Sequence, residues 1–271
     1  MPYALDPFAL LGFLALGAVA GVLAGLLGVG GGLVLVAALA WLLPLQGVVP
    51  AESAMHAALA TSLASIVFTA MSSARSHAKR GSVLWPTVAW MVPGILIGGW
   101  LGSGFAVGLD GQWLRWGVAI YCLIAAAQMM FAKPKPAGDA AIVPRGPVMS
   151  AAGGGIGIAS ALVGIGGGSM TVPLLTWLGV VPVRAVGTSS ACGVFIGLAS
   201  AAGYALHAPA GALPQHAIGY VYLPAAIGVA LASILFAPLG TRIAHAISGP
   251  VLKRVFALFL LAVAISLVIG G

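Results

Sequence analysis

Charged side chains are scarce in this chain of 271 residues, which has 11 Lys or Arg residues and only 4 Asp or Glu residues. A soluble globular domain has roughly 25% charged residues, whereas 6% of this chain is charged and 61% is hydrophobic. So few charges cannot cover a surface that faces water. The composition therefore excludes a soluble globular protein and predicts an integral membrane protein.

Cysteine is almost absent as well. Cys122 and Cys192 lie in separate apolar segments, and neither belongs to a CxxC motif or has a histidine at metal-ligand spacing. We expect both to be small buried core residues, and we expect no metal or other cofactor.

A net charge of +7 usually suggests that a protein binds nucleic acid. Here, however, the basic residues lie in short loops between apolar runs. In a membrane protein such residues set the orientation in the bilayer. We therefore expect the lipid bilayer as a partner and no nucleic acid. The sequence does not indicate an oligomeric state.

The lengths of the uncharged runs give the number of membrane segments. Between Asp6 and Glu52 lie 45 residues without a charge, and between Arg184 and Arg242 lie 57. At about 20 residues per crossing, the 7 long uncharged runs of the chain hold 10 hydrophobic segments. The runs are apolar all round instead of alternating, which favours helices over a barrel. The predicted fold class is all-α, a polytopic membrane protein of about ten transmembrane or half-membrane helices.

The chain contains the same series of motifs twice. The glycine-rich segment 28–32 recurs as 164–168, 136 residues later, and the Ala-Thr-Ser segment 60–62 matches the Gly-Thr-Ser segment 187–189. The motifs keep their order and their approximate spacing. A repeated unit is therefore more plausible than chance agreement.

A polar, proline-rich segment separates the two copies, as expected of a linker. We predict an N-terminal transmembrane repeat at 1–132, a cytoplasmic linker at 133–147 and a C-terminal transmembrane repeat at 148–271. Five helices in each repeat, an odd number, would invert the second copy relative to the first.

Basic residues predict which loops face the cytoplasm. Loop 75–80 is rich in Lys and Arg, whereas the corresponding loop 207–216 has neither. The two loops are therefore expected on opposite sides of the membrane, as inverted repeats require. In this topology 10 of the 11 basic residues are cytoplasmic, Arg115 is the exception, and both termini lie outside.

Segment 8–43 leaves two topologies open. Its 36 residues, interrupted by glycines, are few for two full crossings. It forms either two spans or a re-entrant pair of half-helices. The inversion of the second repeat holds in both cases.

Inverted repeats are typical of secondary transporters, which bind substrate near the membrane midplane where interrupted helices meet. The two glycine segments are the obvious interruptions in this chain. A glycine run frees backbone N–H groups, and at a helix N-terminus these groups point in one direction and carry the positive end of the helix dipole. Such a helix end binds an anion without a charged side chain.

Hydroxyl groups near the glycine segments add further hydrogen-bond donors, and the mid-membrane stretches contain no Asp or Glu, which disfavours a cation. A small anionic substrate is therefore expected. The predicted substrate-binding residues are Gly30, Gly31, Gly32, Thr61, Ser62, Gly166, Gly167, Gly168, Ser169, Thr188 and Ser189.

Glycines at four-residue spacing elsewhere predict close packing of helices. The series Gly94, Gly98 and Gly102 is a stripe of this kind. Helix packing accounts for glycines at this spacing, but it does not account for three consecutive glycines.

Three other function classes stay open. An intramembrane enzyme would need a set of catalytic side chains within the membrane. His56 beside Ser62 is the only near candidate, and one such pair is weak support. We therefore expect no enzyme. A channel would show flux that does not saturate. A transporter of another cargo, such as a metal or an amino acid, would keep the same fold.

The paired glycine clusters, the Thr-Ser segments at 60–62 and 187–189, and the stretch 60–69 followed by the basic loop 75–80 resemble the sulfite exporter TauE/SafE family. The similarity extends from about Gly12 to Ile269. Gly187 of the second motif stands where the first has Ala60. The resemblance implies anion transport across the bacterial inner membrane, with sulfite or an organosulfonate as the substrate.

The direction of transport follows from energetics. A monoanion that leaves a cell with a negative interior gains about 2.3 kcal/mol per 100 mV, so export needs no coupled ion. Uptake would need one, and coupling ordinarily uses an acidic residue within the membrane. The chain offers only Glu52, expected at the outer mouth. We predict export or uniport, with an ion-coupled importer of a related anion as the alternative.

Overall fold

The structure is a computed structural model that describes residues 7–27, 31–131, 142–213, 216–246 and 249–269. These residues form 10 α-helices, one short 3₁₀ helix (Ala51–Ser53) and one small β-hairpin, which confirms the all-α class. The elements in chain order are α1 (Pro7–Leu27), α2 (Gly32–Leu45), α3 (Ala54–Lys79), α4 (Trp85–Val107), α5 (Gly111–Phe131), α6 (Pro147–Val163), α7 (Gly168–Trp177), α8 (Pro182–Leu206), β1 (Ala217–Ile218), β2 (Val221–Tyr222), α9 (Leu223–Ala246) and α10 (Gly249–Ile269).

The lengths of the helices fit a multi-pass membrane protein. Within the described ranges, 3 segments are long and apolar enough to cross a membrane: Ala51–Lys79, Trp85–Val107 and Pro182–Leu206. Five further helices contain shorter apolar stretches. Large hydrophobic side chains are exposed along many of these helices, as expected for surfaces that face lipid.

The two shortest of the described helices cannot cross the hydrocarbon core. Helix α2 has 14 residues and α7 has 10, which correspond to about 21 and 15 Å against a core of about 30 Å. Helix α1, with 21 residues, is long enough. The first half therefore has one helix of spanning length followed by a short one, an arrangement between the two alternatives for segment 8–43.

Helices of the two halves pack closely through small residues. A Cβ atom at Gly94 of α4 would lie 1.8 Å from the Ser150 carbonyl oxygen of α6, and one at Gly98 would lie 2.1 Å from the Gly154 carbonyl oxygen. Gly17 of α1 approaches the backbone of α9 in the same way. The glycine stripes are packing surfaces, as the sequence predicted.

The two largely buried helices α3 and α8 cross side by side in the core and run antiparallel. Ser73 of α3 hydrogen-bonds Ser190 of α8 at 3.0 Å. Nearer the start of α3, the Leu63 carbonyl oxygen lies 2.8 Å from the place that a Cβ at Gly197 would take. Residue numbers thus fall along α3 as they rise along α8. These are the third helices of the first and second groups of five, and they point in opposite directions.

Candidate functional site

The two glycine segments lead directly into the two short helices. Gly31 precedes α2 with φ 63°, and Gly167 precedes α7 with φ 74°. Glycine suits this left-handed conformation because it has no Cβ. Neither helix has a side-chain cap at its start, so the first amides of both helices lack the acceptor that a capping side chain supplies.

We call the glycine segments 28–32 and 164–168 the first and the second break. The described residues of the two breaks are in direct contact. A Cβ atom at Gly32 would lie 2.6 Å from the Gly164 carbonyl oxygen and 3.1 Å from the Ile165 Cα atom. The start of α2 therefore lies against the end of α6, at the beginning of the second glycine segment. The contact between Gly32 and Gly164 leaves no space for a ligand between these two residues.

Ser62 of α3 lies where the breaks meet. Its Oγ atom lies 3.2 Å from the Gly32 carbonyl oxygen and 3.0 Å from the Gly164 carbonyl oxygen. A serine hydroxyl has a single proton to donate, so the two carbonyl groups share it. Ser62 thus links the first break to the second.

Thr61 and Thr188 occupy equivalent positions in the two halves and make equivalent contacts. The Tyr222 amide, directly before α9, donates to the Thr61 Oγ1 atom at 3.1 Å. The Leu84 amide, directly before α4, donates to the Thr188 Oγ1 atom at 2.9 Å. Each threonine accepts a hydrogen bond from the other half and keeps its own hydroxyl proton available.

Ser169 in the first turn of α7 has a partner from the other half. The Tyr121 hydroxyl of α5 donates a hydrogen bond to the Ser169 Oγ atom. Sequence reasoning did not single out Tyr121, because the two residues are far apart in the chain and belong to different halves.

The second break is bordered by buried hydroxyl groups that have no hydrogen-bond partner in the described part of the chain. Their residues are Ser160, Thr171 and Ser189, which are 0%, 0% and 1% exposed. A buried polar atom normally finds a partner, so each such atom calls for an explanation. The Thr171 Oγ1 atom lies 3.4 Å from the position of a Cβ at Gly167, at the start of α7.

Acidic groups lie away from the breaks. Among the described residues the acidic ones are Glu52 and Asp110, both exposed, just before α3 and α5. The Asp110 carboxylate accepts a hydrogen bond from the Gln112 amide at 2.9 Å and so caps α5. Within the described ranges, the breaks therefore offer hydrogen-bond donors with no acidic side chain beside them.

His56 stabilises the end of α4 and does not reach the breaks. Its Nε2 atom lies 3.2 Å from the Ala106 carbonyl oxygen and 3.0 Å from the Leu109 carbonyl oxygen, so this nitrogen carries the proton. Its ring stacks on that of Tyr220, with the centroids 4.8 Å apart. Burial raises the pKa of the Tyr220 phenol, and the charge of Glu52 adds to the shift.

A cavity of about 260 Å³ lies at the other end of α2 from the break. It is lined mainly by Trp41, Leu45 and other apolar residues, with Arg115 and Ser266 as polar members. The cavity is separate from the hydroxyl groups that border the breaks.

Comparison with known proteins agrees with this architecture. The profile of the family described as Sulfite exporter TauE/SafE matches residues 13–267, nearly the whole chain. The chain belongs to the sulfite exporter TauE/SafE family. A protein of Haemophilus influenzae described as a probable membrane transporter protein is 36% identical over 256 residues, which cover 94% of this chain and 96% of that protein. No solved structure matches the chain.

The resemblance seen in the motifs is therefore confirmed, and this TauE/SafE protein is a multi-pass membrane transporter. A transporter of this type moves a small-molecule substrate and works within a lipid bilayer. The charge composition and the packed apolar helices have their explanation in this setting.

The eleven predicted site residues of the TauE/SafE chain fall into three groups. Gly30 lies outside the described residues. One group forms the breaks and the starts of the short helices, and another supplies hydroxyl groups from neighbouring helices. The first group is Gly31, Gly32, Gly166, Gly167, Gly168 and Ser169, and the second is Thr61, Ser62, Thr188 and Ser189.

Proposed function

We propose that this TauE/SafE protein exports a small sulfur-containing anion, sulfite or an organosulfonate, across the bacterial inner membrane by alternating access. The anion binds at the paired breaks. The sulfur-containing cargo is suggested by the description of the family, and the anionic character by the local chemistry.

The observation that carries the proposal is the meeting of the two breaks. Gly32 at the start of α2 lies against Gly164, just ahead of α7. Each glycine segment leads into a short helix whose start has no side-chain cap. Uncapped helix N-termini attract negative charge, and in a transporter they are the usual anchors of anionic substrate groups.

The surrounding side chains favour an oxyanion over a cation. Hydroxyl groups such as those of Ser169 and Ser189 can donate to oxygen atoms, and the described acidic residues stand at exposed helix starts. A metal ion would instead require oxygen ligands of negative charge or imidazoles. No enzymatic step is part of this proposal.

The proposed topology places two inverted halves, 1–132 and 148–271, on either side of a cytoplasmic linker at 133–147. The antiparallel course of α3 and α8 supports the inversion, as does the repeat of the motifs. In this topology both termini lie outside. The proposal assigns the protein to the inner membrane, because its spans are helical.

Alternating access gives the contact between the breaks a role. Since Gly32 touches Gly164, an anion between these two residues requires the contact to open. The short helix α7 packs mainly against α8, which makes it suited to such a movement. Access from either side would then depend on which of the short helices has shifted.

Export is tested with purified protein in liposomes loaded with labelled ethanesulfonate, a monoanion whose charge does not vary near neutral pH. A potential of 100 mV, negative inside, is worth about 2.3 kcal/mol per charge, which displaces the equilibrium distribution about 50-fold outward. We expect saturable efflux that accelerates with this potential. Efflux that ignores the potential would contradict uniport.

The alternative is an ion-coupled importer. In that case a proton or sodium gradient, and not the potential alone, would drive accumulation of the anion. The same liposomes with an imposed gradient of either ion distinguish the two functions. Flux that rises without saturation would instead indicate a channel.

A further inference from the structure

The buried hydroxyl groups without a partner are concentrated at one of the two breaks. In the described part of the chain, 6 buried side-chain atoms lack a hydrogen bond, and those of Ser160, Thr171 and Ser189 border the second break. Among the others, the Ser200 hydroxyl lies at the interface with α4, beside Gly99. At the first break the Ser62 hydroxyl is already bonded.

Each of the three hydroxyl groups is tied to the second break by its neighbours. The Ser160 carbonyl oxygen accepts hydrogen bonds from the amides of Gly164 and Ile165, at 2.8 and 3.2 Å, at the end of α6. Ser189 stands one helical turn before Gly193, where a Cβ would lie 2.8 Å from the Gly166 carbonyl oxygen.

Thr171 stands one turn into α7 and is directed back to its start. Its amide donates to the Gly167 carbonyl oxygen at 2.7 Å, and its Oγ1 atom lies 3.4 Å from the position of a Cβ at Gly167. Gly168 and Ser169 are the first residues of the helix, whose start has no side-chain cap. The amides and the Thr171 hydroxyl therefore border the same small region.

The first break has no such set of hydroxyl groups. With the glycine segments aligned at their separation of 136 residues, Ser160 corresponds to Ala24, Ser169 to Leu33 and Thr171 to Leu35. All three counterparts are apolar. The two breaks are alike in backbone and differ in the chemistry of the side chains around them.

The partner of Ser169 follows the same pattern. Tyr121 is the eleventh residue of α5, and the eleventh residue of α10 is Phe259. The hydrogen-bonded pair of Tyr121 and Ser169 thus corresponds to the apolar pair of Phe259 and Leu33. Since Tyr121 donates to Ser169, the Ser169 hydroxyl keeps its own proton for another acceptor.

We propose that the substrate anion is bound by the second break alone, as an oxyanion whose oxygen atoms accept several hydrogen bonds at once. The first break is its apolar counterpart, held in place by Ser62. This inference rests on the proposed function, which does not itself distinguish the two breaks. The proposed ligands are the amides of Gly168 and Ser169 and the hydroxyl groups of Ser160, Ser169, Thr171 and Ser189.

An oxyanion accounts for features that water or a halide explains less well. Donors from three helices, α6, α7 and α8, border the second break, and none of the proposed ligands carries a charge. A sulfonate or sulfite presents three oxygen atoms on one sulfur, which can each accept from a different helix. A halide has no such directed acceptors, so chloride should compete weakly.

The test compares Thr171→Val with Leu35→Val, which gives the corresponding positions of the two breaks the same side chain. The probes are ethanesulfonate, sulfite and chloride, titrated by calorimetry onto the purified full-length protein in nanodiscs. We expect Thr171→Val to weaken ethanesulfonate binding about 10-fold or more, the usual effect of losing a hydrogen bond to a charged group. We expect Leu35→Val to change it less than about 3-fold.

Thermal unfolding without the anion adds a readout that a merely structural role would not give. Thr171→Val removes a hydroxyl that has no partner, so the melting temperature should stay the same or rise. Thr69→Val is the matched control, because the Thr69 hydroxyl is bonded to Ser233 at 2.8 Å. That variant should lower the melting temperature and leave the affinity unchanged.

The outcomes separate this inference from the proposed function. Wild-type protein that binds none of the anions overturns both. Wild-type protein that binds ethanesulfonate while Thr171→Val keeps its affinity, or while Leu35→Val weakens binding equally, overturns only the assignment to the second break. Weakened binding in Thr171→Val, with Thr171→Ser restoring it, supports the assignment.

Discussion

Gly32 and Gly164 are in backbone contact, and no side chain fits between them: a Cβ atom at Gly32 would lie 2.6 Å from the Gly164 carbonyl oxygen. They belong to the two glycine breaks, one in each half of the chain. The Ser62 hydroxyl lies within hydrogen-bond distance of the carbonyl oxygens of both. We therefore expect a movement of one break to displace the other.

Gly32→Ala should destabilise the protein and slow transport. The added methyl group meets backbone atoms of the second break, which cannot move aside as a flexible side chain can. Overpacking of this kind costs about 1–3 kcal/mol, so we expect the melting temperature to fall by about 2–12 °C. Thermal unfolding and liposome flux measure the two effects.

Gly117→Ala is the control for this variant, because a Cβ at Gly117 meets nothing within 4 Å. It should leave both the melting temperature and the flux close to wild type. If Gly32→Ala and Gly117→Ala have the same melting temperature and the same flux, the contact between the breaks is important neither for stability nor for transport.

Gly94→Ala should disrupt the packing of α4 on α6. A Cβ at Gly94 would lie 1.8 Å from the Ser150 carbonyl oxygen, so the two helices would have to separate. We expect the free energy of unfolding to fall by at least about 3 kcal/mol and the yield of folded protein to be poor. Size-exclusion chromatography and thermal unfolding report the defect.

Gly155→Ala on α6 serves as the matched substitution, because nothing lies within 4 Å of its added Cβ. It should fold normally. A well-folded Gly94→Ala protein with wild-type stability would contradict the described helix interface.

Thr61→Val and Thr188→Val should have similar effects on stability. Each removes the acceptor of one amide, that of Tyr222 or that of Leu84. A buried amide without a partner costs about 1–3 kcal/mol, so both melting temperatures should fall by several degrees. Serine keeps the hydroxyl, and Thr61→Ser and Thr188→Ser should recover most of the loss. A large difference between the two valine variants would argue against equivalent roles.

The sequence predicts the framework because its signals are periodic or repeated. The scarcity of charged residues predicts a membrane protein, and the uncharged runs predict the number of membrane segments. The glycine segments 28–32 and 164–168 predict where the short helices begin. Segment 8–43 was ambiguous because length alone does not say where a helix stops. The structure of this segment depends on the short length of α2, which cannot be read from the apolar composition of that helix.

The side-chain environment of the breaks was less accessible to sequence reasoning. The contact of Tyr121 with Ser169 joins residues from different halves, and no local pattern marks it. Ser160 and Thr171 carried a usable signal, because aligning the halves sets them against Ala24 and Leu35. The repeat is recognised from positions at which the two copies agree, whereas these residues stand at positions at which the copies differ.

Flux of labelled sulfite through liposomes containing wild-type protein, Gly167→Leu or Gly117→Leu tests the central claim most directly. Gly167 has φ 74° at the start of α7, and its Cβ would lie 2.3 Å from the Ile196 Cδ1 atom, whereas Gly117 has free space around it. The account predicts that Gly167→Leu inserts into the membrane in normal amounts but transports no sulfite, while Gly117→Leu transports at the wild-type rate. Normal flux through Gly167→Leu would contradict a substrate site at the glycine breaks.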